Sequence, residues 1–184
     1  SDIFSRTLRA EPASIPPMEL VVDKAKWQTP SNQRSPRPQS VRRQDEIRRQ
    51  VEEMHKAGIL RPASSAECSQ VLLTPKPNGK FRFVVDFRAL TECTMARNWP
   101  IPDINMMLER LGQKGATVFG VMDLTSGYHQ APLHKSARRF TTITTCMGNY
   151  EYLRVPMGLK GAPAYFQQTM STVVLKGLIY KRCE

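Results

Sequence analysis

No stretch of this sequence is long and apolar enough to cross a membrane as a helix. Its apolar runs fall well short of the ~20 residues that a span needs, and the C-terminal "VVLKGLIY" is broken by Lys176. The N-terminus lacks the charged, apolar and small-residue pattern of a secretory signal. Cysteine is sparse and unpatterned. Cys68, Cys93, Cys146 and Cys183 show no C-x-x-C spacing, which argues against a disulfide framework or zinc site and for reduced thiols. Histidine is scarce too, and His129 and His134 stand five apart without a nearby acid or thiol pair. A histidine-centred metal site is therefore not expected. There is no internal repeat, and no two aspartates are adjacent.

Acids are the remaining shortage. The 184 residues hold 27 Lys+Arg against 16 Asp+Glu, a formal charge of +11. Such a balance suits a polyanion, either nucleic acid or an anionic membrane surface, with a merely soluble basic protein as the plainer reading. Residues 1–60 carry 11 basic and 8 acidic side chains, whereas 61–184 carry 16 and 8. The excess thus sits with the segments that read as folded, not in a basic tail.

Residues 1–40 contain six of the 14 prolines and read as an extended connector, draped on the fold or disordered. The spacing then predicts a helix over 41–57. Ile47, Val51 and Met54 line one face, Asp45/Arg49 and Glu52/Lys56 pair at i,i+4, and Gly58 ends it. "SQVLLTPKPNGKFRFVVDFRAL" predicts a hairpin with Asn78-Gly79 as a two-residue turn. On its second strand Phe81, Phe83, Val85 and Phe87 alternate with Lys80, Arg82, Val84, Asp86 and Arg88. The aromatic face is core. The cationic face reads as solvated surface, with a phosphate grip as the alternative.

"WPIPDINMMLERLG" predicts a proline-led helix with Ile104, Leu108 and Leu111 inward. A strand over 117–124 follows, and then "TSGYHQ". The run 140–146 pairs with 150–155 across "MGN". A last helix begins near Pro163, with Phe166, Met170, Val173 and Val174 at helical spacing and expected in the core. This order of hairpins and helices predicts an α+β fold. In the strand 117–124, Phe119, Val121 and Asp123 share a side, and an acid continuing an apolar face is expensive to bury unless it is paired or binds a cation. Asp123 either caps the next helical turn, beside Ser126, or offers a hard oxygen ligand to a cation such as magnesium.

"FRFVVDFRAL", "WPIPDI", "VMDLTSGYHQAPL" and "FTTITTCMGNYEYLRVPMGLKGAPAYFQQTM" stand in the order found in reverse transcriptases of LTR retrotransposons, and the chain most resembles the gypsy type. The likeness runs from about residue 44 to 184, with 19–43 similar to the lead-in to the fingers. It implies the fingers and partial palm of a right-hand polymerase: a connector over 1–40, a fingers-like part over 41–116 and part of the palm over 117–184. It also implies RNA-directed DNA polymerase activity, a two-metal nucleotidyl transfer to a primer 3′-hydroxyl with magnesium.

Site residues follow from the same resemblance, position by position. Asp123 matches the first metal-binding aspartate, and the Leu124 carbonyl matches the backbone ligand beside it. Ser126 and Gly127 match the small residues under the triphosphate. Tyr128 matches the ring that excludes a ribonucleotide 2′-hydroxyl. Lys80 and Arg82 match cations that hold the incoming nucleotide, which moves the balance for that face from solvent to phosphate. Met157 and Gln167 match the nucleotide pocket. Arg88, Gly158, Lys160, Gly161 and Pro163 match template and primer contacts, although an ion pair of Arg88 with Asp86 is the simpler role.

The implied partners are an RNA/DNA template-primer, deoxynucleoside triphosphates and the remaining palm, thumb and RNase H parts of a polyprotein. No membrane partner is implied, and the expected location is intracellular, in a cytoplasmic particle or the nucleus. The sequence departs from the family at Thr91, where an Asn is usual, and at Met157, where Phe or Gln is usual. The Y-x-D-D hairpin with the other two metal-binding acids has no counterpart here. Inactivity of the isolated chain is therefore expected, as are a bare sheet edge beside Asp123 and marginal stability. The alternative function is a non-catalytic nucleic-acid-binding remnant of a decayed or domesticated retroelement.

Overall fold

Two antiparallel hairpins, joined side by side through a parallel contact, make the sheet on which the rest of the chain hangs. The computed structural model describes residues 8–33, 35–95, 99–100, 102–115 and 117–178. In chain order the elements are β1 (Val21–Val22), α1 (Lys24–Trp27), α2 (Val41–Lys56), β2 (Leu60–Pro62), β3 (Ser69–Pro75), β4 (Phe81–Asp86) and α3 (Arg88–Cys93). Then come β5 (Thr94–Met95), α4 (Ile104–Gln113), α5 (Gly127–Gln130), α6 (Lys135–Arg138), β6 (Ile143–Thr145), β7 (Gly148–Tyr152) and α7 (Ala162–Thr169). A wide helical turn over Met170–Val174 continues the last helix.

The sheet runs in the order β2-β7-β6-β3-β4, with β3 and β6 parallel and the other neighbours antiparallel. A second pair, β1 with β5, fastens the lead-in to the chain after α3. The α+β expectation therefore holds. The lead-in is draped, not loose: Met18 and Trp27 are buried, and the Ala13 and Met18 amides donate to the carbonyls of Gln130 and Pro132 at 2.8 and 2.9 Å.

Helix α2 forms where its apolar spacing places it. Ile47 and Val51 are buried and Met54 packs against the core. Its ion pairs differ from the expected ones: Arg49 reaches Glu46 and Glu53, both at 2.6 Å, and Arg48 reaches Asp45. Positions i+3 and i+4 are both neighbours on a helix, and the forked guanidinium can take two acids at once. Arg49's hydrogen bond is the main reason the Glu46 carboxyl is drawn down to about 2.

The β3–β4 hairpin is present, but its turn is one residue longer than Asn78-Gly79 alone. Lys76 and Lys80 pair across it (Lys76 N–H to Lys80 O, 2.7 Å), and Gly79 donates to the Lys76 carbonyl at 3.0 Å. Pro77, Asn78 and Gly79 form the loop, and of these only Gly79 has positive φ, at 73°. Pro77 suits the first central position of a type I turn, and Gly79 supplies the left-handed residue that follows it. On β4 the aromatic face packs as expected, with Phe81, Phe83 and Val85 against the core and Phe87 buried.

Three expectations fail on burial. Helix α4 forms, capped by Asp103, whose side chain accepts from the Asn105 and Met106 amides. Its face does not go inward: Ile104 and Leu108 are exposed. In the last helix Val173 and Val174 are exposed and Phe166 and Met170 only partly covered. The run 117–124 forms no strand. Alternating apolar residues fit a pleated surface, but a strand exists only through a partner's hydrogen-bond ladder, and no described segment supplies one. Among the described residues Cys68, Cys93 and Cys146 are not in disulfides, and Cys183 lies outside them. No helix among them is long and apolar enough to cross a membrane.

Candidate functional site

Asp123 sits in an irregular exposed segment, not at the end of a buried strand. Val118, Val121 and Met122 around it are 87%, 93% and 84% exposed. Neither the buried-face reading nor the capping reading of Asp123 survives. The carboxylate stands in solvent, where its hydration costs nothing to keep, and the cap position of the next turn belongs to Ser126.

Ser126 has φ 48° and ψ 49°, a left-handed conformation that is unfavourable for a residue with a Cβ. It reverses the chain into the short turn α5, where the His129 amide donates to the Ser126 carbonyl at 2.8 Å. The Gln130 side chain returns to the Thr125 carbonyl at 2.8 Å, closing the turn on itself. Gly127 lies close against its neighbours. A Cβ there would lie 3.4 Å from both the Leu124 Cβ and the Phe166 ring. Tyr128 packs its ring on Phe166 at a centroid distance of 5.3 Å. The structure thus brings Leu124, Gly127 and Tyr128 together on α7 directly after Asp123.

The loop before α7 is laid against the end of the β4–α3 segment. A Cβ on Gly158 would lie 3.8 Å from the Phe87 ring, and the Lys160 ammonium donates to the Thr91 carbonyl at 3.4 Å. Leu159 between them is buried. Gly161, at φ 82°, takes the N-cap position of α7, and Pro163 falls in its first turn, where its missing N–H is not needed. Met157 is exposed beside this loop, and Gln167 reaches the Ser171 hydroxyl at 3.5 Å. Gly158, Lys160, Gly161, Pro163 and Gln167 therefore form one contiguous run with the tyrosine–phenylalanine contact.

The cations lie apart from it. Lys80 at the hairpin tip and Arg82 on β4 are exposed, and no hydrogen bond or ion pair joins either side chain to the turn among the described residues. Arg88 is engaged instead: its Nε and Nη2 donate to the two oxygens of Asp86 at 2.8 and 2.7 Å, and Arg37 stands 3.8 Å from Asp86 Oδ2. These groups border a cavity of about 410 Å³ shared with Gln70, Ser69 and Glu92.

One residue near the turn escapes the motif reading. Arg154 is 2% exposed, and burial lowers its pKa, which the charge of Glu11 in the lead-in partly offsets. Glu11 makes no ion pair with it among the described residues, and the Arg154 Nε has no hydrogen-bond partner there. Its Nη1 donates to the His129 carbonyl at 3.2 Å, and its Nη2 donates to the carbonyls of Arg9 (2.9 Å) and Ala10. The His129 ring stacks on Tyr152 at 6.3 Å. Burial, with Arg154 adding to it, pushes the His129 pKa down, which favours the neutral ring. The available signal was alternation: Arg154 continues the face of Tyr150 and Tyr152, where a charged side chain needs partners.

Asp123 offers one hard-oxygen donor, with the Leu124 carbonyl adjacent in the chain. No group of three acid, histidine or cysteine side chains gathers among the described residues, so these residues do not compose a complete divalent-cation site.

Residues 74–178 match the family model described as reverse transcriptase (RNA-dependent DNA polymerase). The chain is 42% identical over 142 residues to the retrovirus-related Pol polyprotein from transposon opus of Drosophila melanogaster, covering 74% of this chain and 14% of that one. Against the corresponding polyprotein from transposon gypsy it is 37% identical over 145 residues, covering 76% and 14%. It therefore spans about one-seventh of the length of these relatives. Among solved structures it is similar to the prototype foamy virus protease-reverse transcriptase, with a TM-score of 0.69 and 19% identity over 91% of this chain and 21% of that one. A second foamy viral protease-reverse transcriptase, solved with an RNA/DNA hybrid, gives 0.63 at 19% identity over 91% and 21%. These likenesses match the mixed helix-and-hairpin architecture to the fingers and part of the palm of such a polymerase. The chain belongs to the reverse transcriptase family and resembles, within it, the Pol polyproteins of gypsy-type retrotransposons.

Proposed function

We propose that this chain is the part of an RNA-directed DNA polymerase that carries the first catalytic aspartate and the surface on which the incoming deoxynucleotide is read. Support comes from one observation above the others. Directly after Asp123, within the family-matched residues, Gly127 lies close against Leu124 and the Phe166 ring, and Tyr128 packs on that same ring. In this reading Ser126 and Gly127 leave space for the triphosphate against the backbone. The Tyr128 ring lies under the sugar, where a 2′-hydroxyl would clash.

Lys80 and Arg82 neutralise the triphosphate, and Met157 and Gln167 bound the nascent base pair. Lys160 and Arg88 meet template or primer phosphate, while Gly158, Gly161 and Pro163 shape the backbone that faces the duplex. Enzymes of this family use divalent metal ions. Magnesium fits an exposed carboxylate and a carbonyl as hard-oxygen donors, and Asp123 with the Leu124 carbonyl would hold one side of it. The partners in this reading are an RNA/DNA template-primer, deoxynucleoside triphosphates and other parts of a polyprotein, inside the cell. The working division is 1–40 lead-in, 41–116 fingers-like and 117–184 palm.

With one carboxylate at the metal position among the described residues, the chain in this reading binds duplex without extending it. Fluorescence anisotropy with a labelled RNA–DNA template-primer, followed by primer extension with magnesium, tests both halves. Binding should weaken steeply as salt rises, because charge neutralisation releases counterions. Replacing Lys160 and Arg88, the cations assigned to template or primer phosphate, with glutamine should reduce that slope. Absence of binding would overturn the assignment, and templated incorporation by this chain would overturn the inactivity.

A further inference from the structure

Arg154 is a buried cation whose bonds, as far as they are described, all go to backbone carbonyls, and those carbonyls belong to two segments far apart in sequence. A buried guanidinium normally faces a carboxylate, since leaving water is costly for an unpaired charge. Here Nη1 holds the His129 carbonyl, near the end of the turn that begins at Ser126, while Nη2 holds Arg9 and Ala10 of the lead-in. Gly58, at φ 64°, passes beside this arrangement. A Cβ there would lie 3.4 Å from the Ala10 carbonyl and 3.8 Å from Arg154 Nη2.

The lead-in continues along the same segment. Ala13 N–H donates to the Gln130 carbonyl at 2.8 Å, Met18 N–H to Pro132 at 2.9 Å, and the Met18 carbonyl accepts from His134 at 2.8 Å. From the other side, Val155 N–H donates to Ala131 at 3.0 Å. The turn so clamped holds the lone positive-φ non-glycine among the described residues, Ser126. Strained backbone of this kind persists only where its surroundings over-determine it.

We propose that Arg154 is a positioning residue for the nucleotide-reading turn: by bridging the carbonyls of Arg9 and Ala10 to that of His129, it makes the lead-in part of the support that holds Ser126, Gly127 and Tyr128 in place. The role assigned to that turn rests on the reading under "Proposed function"; the clamp itself does not. Arg154 touches no substrate in this scheme and acts through the backbone.

Hydrogen–deuterium exchange on the full 184-residue chain decides the matter. The variants are Arg154→Met, Arg154→Lys and Ala13→Pro, the last removing the N–H that donates to Gln130. Losing one clamp bond should speed exchange in the peptide covering 127–133 by about tenfold, the effect of a hydrogen bond on a local opening. The β3–β4 hairpin should keep its wild-type rates. Arg154→Lys, which retains a buried donor cation, should restore most of the protection.

Unchanged rates at 127–133 would overturn the proposal, as would a uniform rise that includes the hairpin or a lysine variant no better than methionine. The ratio of dissociation constants for dGTP and GTP, measured on the same chain with template-primer and magnesium, addresses the underlying reading separately. Arg154→Met should bring that ratio closer to one. A wild-type ratio of one would refute the nucleotide role of the turn while the exchange result still decides the clamp.

Discussion

Two guanidinium groups stand at Asp86, Arg88 chelating both oxygens and Arg37 3.8 Å from Oδ2. The carboxyl is drawn below its ordinary range, first by the Arg88 hydrogen bonds. A depressed folded-state pKa means that the folded chain binds this proton less readily than the unfolded chain. The resulting stability is complete above the unfolded value of about 4 and is lost as pH falls through the lower folded value. Asp86→Asn should therefore lower the urea midpoint at neutral pH, and the gap to wild type should close in strong acid. A gap that persists undiminished at low pH would remove the ionic explanation. This pair was legible in advance, because residues i and i+2 at the end of a strand share a face. Arg154 was not. Its partners are carbonyls 25 and 145 positions away, and no residue type marks a carbonyl as a ligand. Asp123 was half legible: its motif told what it matches, but its exposure depends on neighbours the motif does not name.

Among the elements, the β3–β4 hairpin shows how much local chemistry fixes. Val71 and Leu73 are buried and alternate with solvent-side residues, and the partner strand carries its aromatic face inward. The Pro77, Asn78, Gly79 loop then sets the register from Pro75 and Phe81 back to Gln70 and Asp86. Only Gly79 has φ in the left-handed region, and nothing lies within 4 Å of where its Cβ would be. Gly79→Ala should thus cost about 1 kcal/mol through backbone strain alone, with no clash to repack. Equilibrium denaturation measures it, and a neutral result would mean that the turn relaxes to another type. Helix α4 and the run 117–124 mark the limit of the same reasoning. Periodicity names which side chains share a face, as with Ile104 and Leu108, but the face is buried only if another element covers it. In the described structure none does, so α4 persists on its Asp103 cap and helical propensity, while 117–124, which needs a partner to be a strand at all, stays irregular.

For the molecule as a whole, two opposing quantities decide its behaviour in solution. Exposed large apolar side chains gather in three stretches: Ile104, Met106 and Leu108 on α4, Val118, Phe119, Val121 and Met122 before the candidate site, and Val173, Val174 and Leu178 after α7. Exposed apolar surface of this kind favours association. The formal charge of +11 opposes it, because like-charged copies repel over roughly a Debye length, about 10 Å at 0.1 M salt. Adding salt shortens that reach and leaves the apolar attraction, so the chain should associate more as ionic strength rises, opposite in sign to its binding of nucleic acid. Sedimentation velocity across a salt series separates the two. A triple variant, Val118→Ser, Val121→Ser and Met122→Gln, should stay monomeric over that series while its thermal midpoint remains within a degree or two of wild type, since side chains standing in water contribute little to folding. A clear fall in the midpoint would mean that these residues pack inside the isolated chain. An unchanged midpoint with undiminished association would move the attraction to the other two stretches, with Ile104, Met106 and Leu108 on α4 the next positions to replace.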